Sequence, residues 1–279
     1  MSNYYCLVAG LPELSLEDSK LSYTVANFKT ELYPELSKKD RTLVDLFYLK
    51  YDNANLLKLL RDKESEIDPR GNYEAQELLD LIDAIKEDEA FDKKKFPPYF
   101  PVFIKDVLAA SEENRVWQEN HLSALYYAYA AKTKNKFVAS WFNFNLVVNN
   151  VLAAYTARQY KWEVASVIVG ESPVCDALRT SSARDFGLTG EVEYFDTLVK
   201  ISETTDLVEK EKKIDMLRWN WMEDETFFNY FSVERLFVFL LQLEMIERWI
   251  SLDKETGKQM FRNIIDALKN DVKIPEEFR

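Results

Sequence analysis

An all-α fold is predicted for this chain by its scarcity of chain-breaking residues and by its abundance of helix formers. Only 6 Gly and 8 Pro occur in 279 residues, whereas β-sheets need frequent turns built from such residues. Leu, Ala, Glu and Lys are common, and several apolar segments repeat with helical spacing. We therefore expect about eleven helices, in a chain long enough for one large domain or several small ones.

The first helical subdomain is predicted over residues 1–95. Tyr4 to Ala9 is apolar and is expected to form a short strand or an extended lead-in. Asp68 to Asn72 has the composition of a turn. Capping residues and chain breakers delimit four predicted helices, which cover residues 15–33, 37–50, 52–63 and 73–89.

The segment 91–101 is the strongest linker candidate, because three consecutive lysines are followed there by three prolines. We expect it to lead from the first subdomain into a central helical subdomain, residues 96–190. A C-terminal helical subdomain is predicted over residues 191–279. The helices predicted in these two subdomains cover residues 113–132, 136–162, 192–201, 206–221, 233–252 and 255–270.

The helix predicted over residues 136–162 contains a long stretch without charge, Phe137 to Ala157. Its length would allow it to span a membrane. It also carries asparagine at positions 143, 145, 149 and 150, and unpaired amides are costly in hydrocarbon. We therefore expect a helix buried at the centre of a bundle, with no direct membrane span.

The net charge of −12 restricts the classes of partner. Nucleic acid and anionic lipid head groups both prefer basic surfaces, so neither is expected as the main ligand. A basic protein partner is compatible with this charge. Cys6 and Cys175 lack metal-ligand spacing and are expected to be reduced thiols in the cytoplasm.

No sequence motif indicates an enzyme or a bound cofactor. The single histidine, His121, is expected at the surface and almost excludes a His-based metal site or a Ser-His-Asp triad. The chain has no Walker A loop, and Asp185-Phe186-Gly187 lacks the other motifs of a kinase. The loop from Arg179 to Gly187 could hold an anion. An enzyme with paired carboxylates stays as a third hypothesis, because acidic residues are abundant.

The most informative stretch covers residues 231–249. Val233, Phe237 and Leu240 share one face of the predicted helix, which opens at Ser232 as N-cap. One heptad after Phe237, the same face carries Glu244, followed by Arg248. This pair has i,i+4 spacing and is usually a solvated bridge worth roughly a few tenths of a kcal/mol. If the surrounding helices formed a binding cavity, the same pair would lie at its edge and would contact a partner.

A second informative element runs from Asp52 to Lys63. Asp52 is expected to cap the free amides of its helix, and Asn55 could cross-link to a neighbouring helix. Arg61 lies at the negative helix end, where a cation is stabilising. These residues are expected mainly to define the fold, with a contact to a partner as the alternative.

Both elements resemble the coupling subunit, named C or d, of V-type or A-type rotary ATPases. That family has helices that begin with Asp-x-x-Asn-Leu and end in Arg-x-Lys, and its domain closes with an apolar helix followed by Glu-x-x-x-Arg-x-Ile and a second helix. Residues 144–158 resemble the helix that begins with Asp-x-x-Asn-Leu more weakly, because their spacing is shifted. The likeness is strongest in the C-terminal part, moderate over residues 45–65 and poor in the middle.

The resemblance implies three related helical subdomains arranged as a funnel, with no catalytic site and no cofactor. It implies a cytoplasmic protein that is peripheral on the inner membrane face through the ATPase complex. There it would link the central stalk to the membrane ring that translocates ions. The resemblance also implies partner-binding roles for Asp52, Asn55, Arg61, Glu244 and Arg248.

Two features depart from that family. The chain is shorter than typical members, and its N-terminal segment lacks their long basic first helix. The alternative is a helical adaptor or scaffold unrelated to rotary ATPases. Such a protein would bind a partner helix through aromatic grooves, for example at Trp219-Asn220-Trp221.

Overall fold

The computed structural model describes residues 4–110, 114–228 and 231–252, and all regular structure in these residues is helical. The predicted all-α class is therefore confirmed. The helix predicted over residues 255–270 lies outside the described residues. The α-helices in the described part are α1 (Tyr5–Ala9), α2 (Val25–Asn27), α3 (Lys38–Arg61), α4 (Ala75–Lys86), α5 (Tyr99–Ala109), α6 (Arg115–Ala130), α7 (Lys136–Tyr160), α8 (Val164–Val167), α9 (Pro173–Thr180), α10 (Phe195–Ser202), α11 (Leu207–Thr226) and α12 (Val233–Ser251).

The chain divides into two compact units. The large unit consists of residues 37–225, and the terminal unit combines residues 1–36 with residues 226–279. The subdomain boundaries predicted near residues 95 and 190 both fall inside the large unit. The predicted linker leads directly into α5, whose Phe100, Phe103 and Ile104 are buried and which packs on both α4 and α6. The funnel arrangement stays a prediction.

Helix α3 is continuous from Lys38 to Arg61, whereas the sequence predicts two helices with a boundary at Asp52. Its start is as expected, because the Ser37 side chain accepts a hydrogen bond from the backbone N–H of Asp40. The predicted internal boundary is wrong because Asp52 does not cap its own helix. Its carboxylate instead accepts hydrogen bonds from a loop that lies 20 residues further along the chain.

Helix α7 runs through the large unit close to its predicted bounds. Its length and composition alone would be enough to cross a membrane, and 61% of its most apolar window is buried inside the structure. The Asn150 side chain bonds both the N–H and the C=O of Val169, at 2.9 and 2.8 Å. The amide of this buried residue is thus paired within the protein, as the prediction of a core helix requires.

Two short helices in the large unit are missing from the sequence prediction, α8 and α9. Helix α9 begins at Pro173, after Ser172, whose side chain accepts a hydrogen bond from the backbone N–H of Cys175. Both the N-cap serine and the proline at the first helical position are standard start signals. The sequence analysis predicts only a break in the chain around Pro173, although Ser172 and Pro173 are local signals for the start of a helix.

The terminal unit differs from its prediction at the N-terminal end. Residues 5–9 form the short helix α1 and not a strand, and the backbone N–H of Tyr4 bonds the C=O of Phe231 at 3.1 Å. Only the last part of the helix predicted over residues 15–33 is present. It consists of α2, a π turn (Phe28–Leu32) and a 3₁₀ turn (Tyr33–Glu35).

Helix α12 is close to its predicted bounds and is buried on all sides from Leu236 to Leu243. Ser232 occupies the predicted N-cap position, but its side chain makes no capping hydrogen bond. Near the other end of the helix, Glu247 accepts a hydrogen bond from the backbone N–H of Val25 at 2.8 Å. This bond joins the two chain segments of the terminal unit, and the sequence prediction does not include it.

Candidate functional site

Asp52 lies in the middle of α3 and is fully buried. Its carboxylate accepts hydrogen bonds from the backbone N–H of Asn72 at 2.8 Å, from the side-chain amide of Asn72 at 2.8 Å and from the backbone N–H of Tyr73 at 3.1 Å. Burial raises the pKa of the Asp52 carboxyl, and the donors from Asn72 and Tyr73 offset part of that rise. Asp52 therefore holds a loop in place.

Asn55 lies one turn later on the same face of α3 and is also fully buried. Its side-chain N–H donates to the C=O of Asp68 at 2.9 Å, and its oxygen accepts from the N–H of Asp68 at 2.7 Å. The loop then turns through Gly71, where an added Cβ would collide with the Asp52 carboxylate. We call Asp52, Asn55 and the loop of residues 68–73 the α3 clamp.

The α3 clamp gives Asp52 and Asn55 a role inside the protein, and their predicted contact with a partner stays a prediction. The exposed fraction of each residue is 0%, and their polar atoms are bonded to the chain's own loop. The expectation that they mainly define the fold agrees with these contacts. The expected cross-link of Asn55 exists, although it reaches a loop and not a neighbouring helix.

Arg61, the third predicted residue of this element, lies at the C-terminal end of α3 as expected. Its guanidinium pairs with the Glu119 carboxylate of α6 at 3.3 Å. Lys63, two residues on, bonds both carboxylate oxygens of Asp83 in α4, at 2.7 and 2.8 Å. These partly exposed pairs connect the end of α3 to its neighbours within the large unit.

Glu244 and Arg248 lie on the last turns of α12, beyond its fully buried part. Glu244 is half-buried and Arg248 is exposed. The Arg248 guanidinium lies 5.1 Å from the ring centroid of Trp249. The predicted change from a buried apolar face to a charged, more exposed face therefore occurs on this helix, after Leu243.

His121 is half-buried and not a simple surface residue as predicted. Its Nε2 lies 2.8 Å from a carboxylate oxygen of Asp106 in α5. Its ring stacks on the Trp117 indole, with centroids 5.0 Å apart and an interplanar angle of 14°. Local sequence patterns carry little sign of this cluster, because Asp106 and His121 belong to different helices.

The loop from Arg179 to Gly187 is not organised around an anion. The Arg179 guanidinium bonds the carbonyls of Ile168 and Gly170 and pairs with Asp176 at 3.6 Å. Arg158 of α7, which the prediction does not single out, donates to carbonyls of the same loop and lies 3.4 Å from the ring centroid of Phe186. Phe186 is buried, so Asp185-Phe186-Gly187 is a structural turn.

A second polar cluster joins α7 to α11. The Arg218 guanidinium donates to the side-chain oxygens of Asn145 at 3.0 Å, Asn149 at 3.1 Å and Asp215 at 3.3 Å. Two of the four asparagines of the charge-free stretch, Asn145 and Asn149, thus serve as acceptors for a cation on another helix. Trp221, which is predicted to line an aromatic groove for a partner, stacks on Phe144 with centroids 4.7 Å apart.

The described residues contain no group of three or more His, Cys, Asp or Glu that could hold a metal ion. The described part of the large unit includes two open pockets that lie beside these clusters. One, of about 280 Å³, lies between α7 and α11 beside Arg218. The other, of about 430 Å³, lies between α6 and the segment that runs from α8 into α9, and Trp117 and His121 line it.

Comparison with known proteins assigns the chain to a family. The sequence profile described as "Protein of unknown function (DUF2764)" matches residues 1–272, nearly the whole chain. The chain belongs to this family. No curated protein and no solved structure matches it. The description of the DUF2764 family assigns no activity, so a functional hypothesis for this member depends on its sequence and geometry.

Proposed function

We propose that this DUF2764 protein is a non-catalytic coupling subunit of a V-type or A-type rotary ATPase, which links the central stalk to the membrane ring. The observation that carries the proposal is the resemblance of two segments to the coupling subunit of that family. One segment forms the second half of α3, and the other includes the exposed end of α12. Each lies on a single continuous helix, although the expected helix boundary at Asp52 is absent.

A coupling subunit has to transmit force without deforming, and the α3 clamp supports such a role. The loop of residues 68–73 is bonded to α3 by two fully buried side chains, Asp52 and Asn55. Buried polar networks with satisfied partners make a structure rigid and specific. Arg61 and Lys63 add ion pairs from the end of the same helix to α6 and α4.

The charge of the chain suits a basic binding partner, such as the end of a stalk. With a net charge of −12, the protein attracts cationic surfaces at long range. Complementary charge accelerates association and sets the register of the complex. The proposed protein is cytoplasmic and reaches the membrane only through the ATPase complex. The proposed subunit binds the stalk and the ring through complementary shape and charge, and this role needs no cofactor.

A helical adaptor unrelated to rotary ATPases is the second candidate, and one observation favours it. Tyr160 and Trp162, at the end of α7, are 61% and 59% exposed and stack on each other with centroids 5.4 Å apart. Exposed Tyr and Trp side chains are enriched among the residues that dominate protein–protein binding energy. An adaptor would use this pair independently of any ATPase.

The two candidates are separated by affinity purification of the tagged full-length protein from host membranes in mild detergent. Recovery of catalytic, stalk and ring subunits together supports the coupling role. The ATPase must be shown to be intact in the same extract. If it is intact and none of its subunits is recovered, the coupling role is rejected and other recovered partners favour the adaptor.

The double variant Glu244→Ala/Arg248→Ala tests the exposed end of α12. We expect it to recover fewer ATPase subunits while its far-UV circular dichroism stays that of the native protein. A matched control is Glu209→Ala/Lys213→Ala, which removes an exposed ion pair of the same i,i+4 spacing from α11. Normal recovery with the Glu244/Arg248 variant, or equal loss with both double variants, contradicts a specific role for this pair.

A further inference from the structure

The 430 Å³ pocket of the large unit has a composition that selects one class of ligand group. One wall is the first half of α6, with Val116, Trp117 and Asn120, and the opposite wall is the segment of residues 166–171. The side-chain amide of Asn120 donates to the C=O of Ser166 at 3.0 Å, so the two walls are tied together. The pocket size is in the range of ordinary ligand sites.

Two groups in this pocket are available to a ligand. Trp117 is 39% exposed even though its indole stacks on His121, so part of the ring remains open to the pocket. Glu171 is exposed and lines the pocket, and its carboxylate has no bonding partner within the described part of the chain. An open indole and a carboxylate in the lining of one pocket attract a cation that also has a flat or apolar surface.

The remaining charges at the pocket are matched by the protein itself. The Arg179 guanidinium bonds the carbonyls of Ile168 and Gly170 and pairs with Asp176. His121 is bonded to the Asp106 carboxylate. Among the described residues of the lining, Glu171 is therefore the charged side chain without a bonding partner, and the net charge of −12 reinforces the attraction of a cation.

We propose that this pocket binds the guanidinium group of an arginine side chain presented by a partner polypeptide. A guanidinium is planar, stacks on an indole and donates two parallel hydrogen bonds to a carboxylate, whereas an ammonium lacks the first and third of these properties. The open indole of Trp117 and the carboxylate of Glu171 are the groups it would meet. This inference does not depend on the proposed rotary ATPase role.

A polypeptide is favoured over a free guanidino compound because apolar surface extends beyond the pocket. Val116, at the rim, is 62% exposed. The exposed pair Tyr160 and Trp162 lies close to the pocket wall along the chain, since Ser166 comes four positions after Trp162 and is at most about 14 Å from it. A small cation would leave these side chains uncovered, while a polypeptide that inserts one arginine would cover them.

The test follows the indole N–H signals of the full-length protein by NMR. The chain has 6 Trp, and the signal lost in Trp117→Phe identifies Trp117. The probes are the tripeptide acetyl-Ala-Arg-Ala-amide, the same peptide with norleucine in place of arginine, and N-propylguanidinium. We expect a saturable shift of the Trp117 signal with the arginine peptide, a weaker response to N-propylguanidinium and none to the norleucine peptide.

Glu171→Gln keeps the shape of the side chain and removes its charge. We expect it to weaken binding of the arginine peptide about 10-fold, the effect of losing one charge-assisted hydrogen bond. Glu163→Gln is the matched control, because Glu163 is exposed just before α8 and does not line the pocket. It should change the affinity less than about 2-fold, because the Glu163 side chain is exposed to solvent and does not line the pocket, so its charge acts on the ligand only through screened, long-range attraction.

Three results overturn the proposal. The first is the absence of a saturable shift at tens of millimolar arginine peptide. The second is equal weakening by Glu171→Gln and Glu163→Gln, which would indicate attraction to overall charge and not to this pocket. The third is binding of N-propylguanidinium as tight as that of the peptide, which would assign the pocket to free guanidino compounds.

Discussion

The two pairs of residues that dominate the sequence prediction, Asp52 with Asn55 and Glu244 with Arg248, lie in opposite environments. Asp52 and Asn55 are fully buried in the middle of α3 and are bonded to a loop of the same chain. Glu244 is half-buried and Arg248 is exposed on the last turns of α12. Both pairs come from the two segments on which the predicted likeness to the rotary ATPase subunit depends.

The position of a polar residue along a helix, relative to what packs on that helix, decides its role. A carboxylate in the middle of a packed helix has to find donors within the protein, because leaving it unpaired is costly. At a more exposed helix end, the same group does not have to be enclosed by the protein, and it stays within reach of a partner. The α3 clamp is therefore expected to govern stability, and the end of α12 to govern recognition.

Asp52→Ala is the change with the largest expected effect. It removes the acceptor for two donors of Asn72 and one of Tyr73, and we expect the free energy of unfolding to fall by about 3 kcal/mol or more. Urea denaturation measures this change in the free energy of unfolding.

Two further variants serve as comparisons. Asp52→Asn keeps one carbonyl acceptor, so its free energy of unfolding should fall by less. Glu244→Ala/Arg248→Ala should lose less than about 1 kcal/mol; a loss as large as that of Asp52→Ala would contradict the contrast between the two pairs.

Gly71→Ala is expected to have an intermediate effect. The new Cβ would collide with the Asp52 carboxylate, which is held by its hydrogen bonds, so we expect a loss of about 1–3 kcal/mol. Gly10→Ala serves as control, since a Cβ there meets only carbonyl oxygens at 3.7 Å, and should change stability by about 0.5 kcal/mol or less.

A double-mutant cycle locates the cause of the Gly71→Ala effect. If the collision with Asp52 is responsible, Gly71→Ala should cost much less in an Asp52→Ala background, because the two residues are in contact. Additive losses in the double variant would show that Gly71 acts through its backbone and not through Asp52.

The pH dependence of stability should differ in sign between two carboxylates of the clamp. Burial raises the pKa of Asp52 above 3.8, so the pH-dependent part of its contribution to stability is fully present below pH 3.8 and is lost as pH rises through the raised value. The hydrogen bond from Arg70 lowers the pKa of Asp68 to about 2, so its contribution is present above pH 3.8 and is lost as pH falls towards 2.

Stability curves from pH 2 to 6 for the native protein, Asp52→Asn and Asp68→Asn test this difference. With rising pH, the advantage of the native protein should shrink relative to Asp52→Asn and grow relative to Asp68→Asn. The Asp68 effect should be the smaller one, because the Asp68–Arg70 pair is partly exposed and screened by solvent. Parallel curves for the two variants would contradict the assignment.

Sequence patterns predict the long helices better than the contacts that orient them. The bounds of α7 and α12 agree with prediction because a charge-free stretch and a strong apolar run are local signals. The false helix boundary at Asp52 has an equally local origin. An aspartate followed by an apolar run is a typical helix start. The loop whose N–H groups bond Asp52 lies 20 residues further along the chain, so a local sequence pattern does not reveal this contact.

The amino-acid sequence by itself determined that this protein is all-α, that one long helix has a charge-free stretch and that α12 changes from apolar to charged. Capping, periodicity and composition act over a few residues and need no knowledge of the fold. Only the tertiary structure decided that Asp52 holds the loop before α4, that Arg218 meets the asparagines of α7 and that Glu247 bonds Val25. Each of these contacts joins residues 20 to 222 positions apart, and only chain packing brings such groups together.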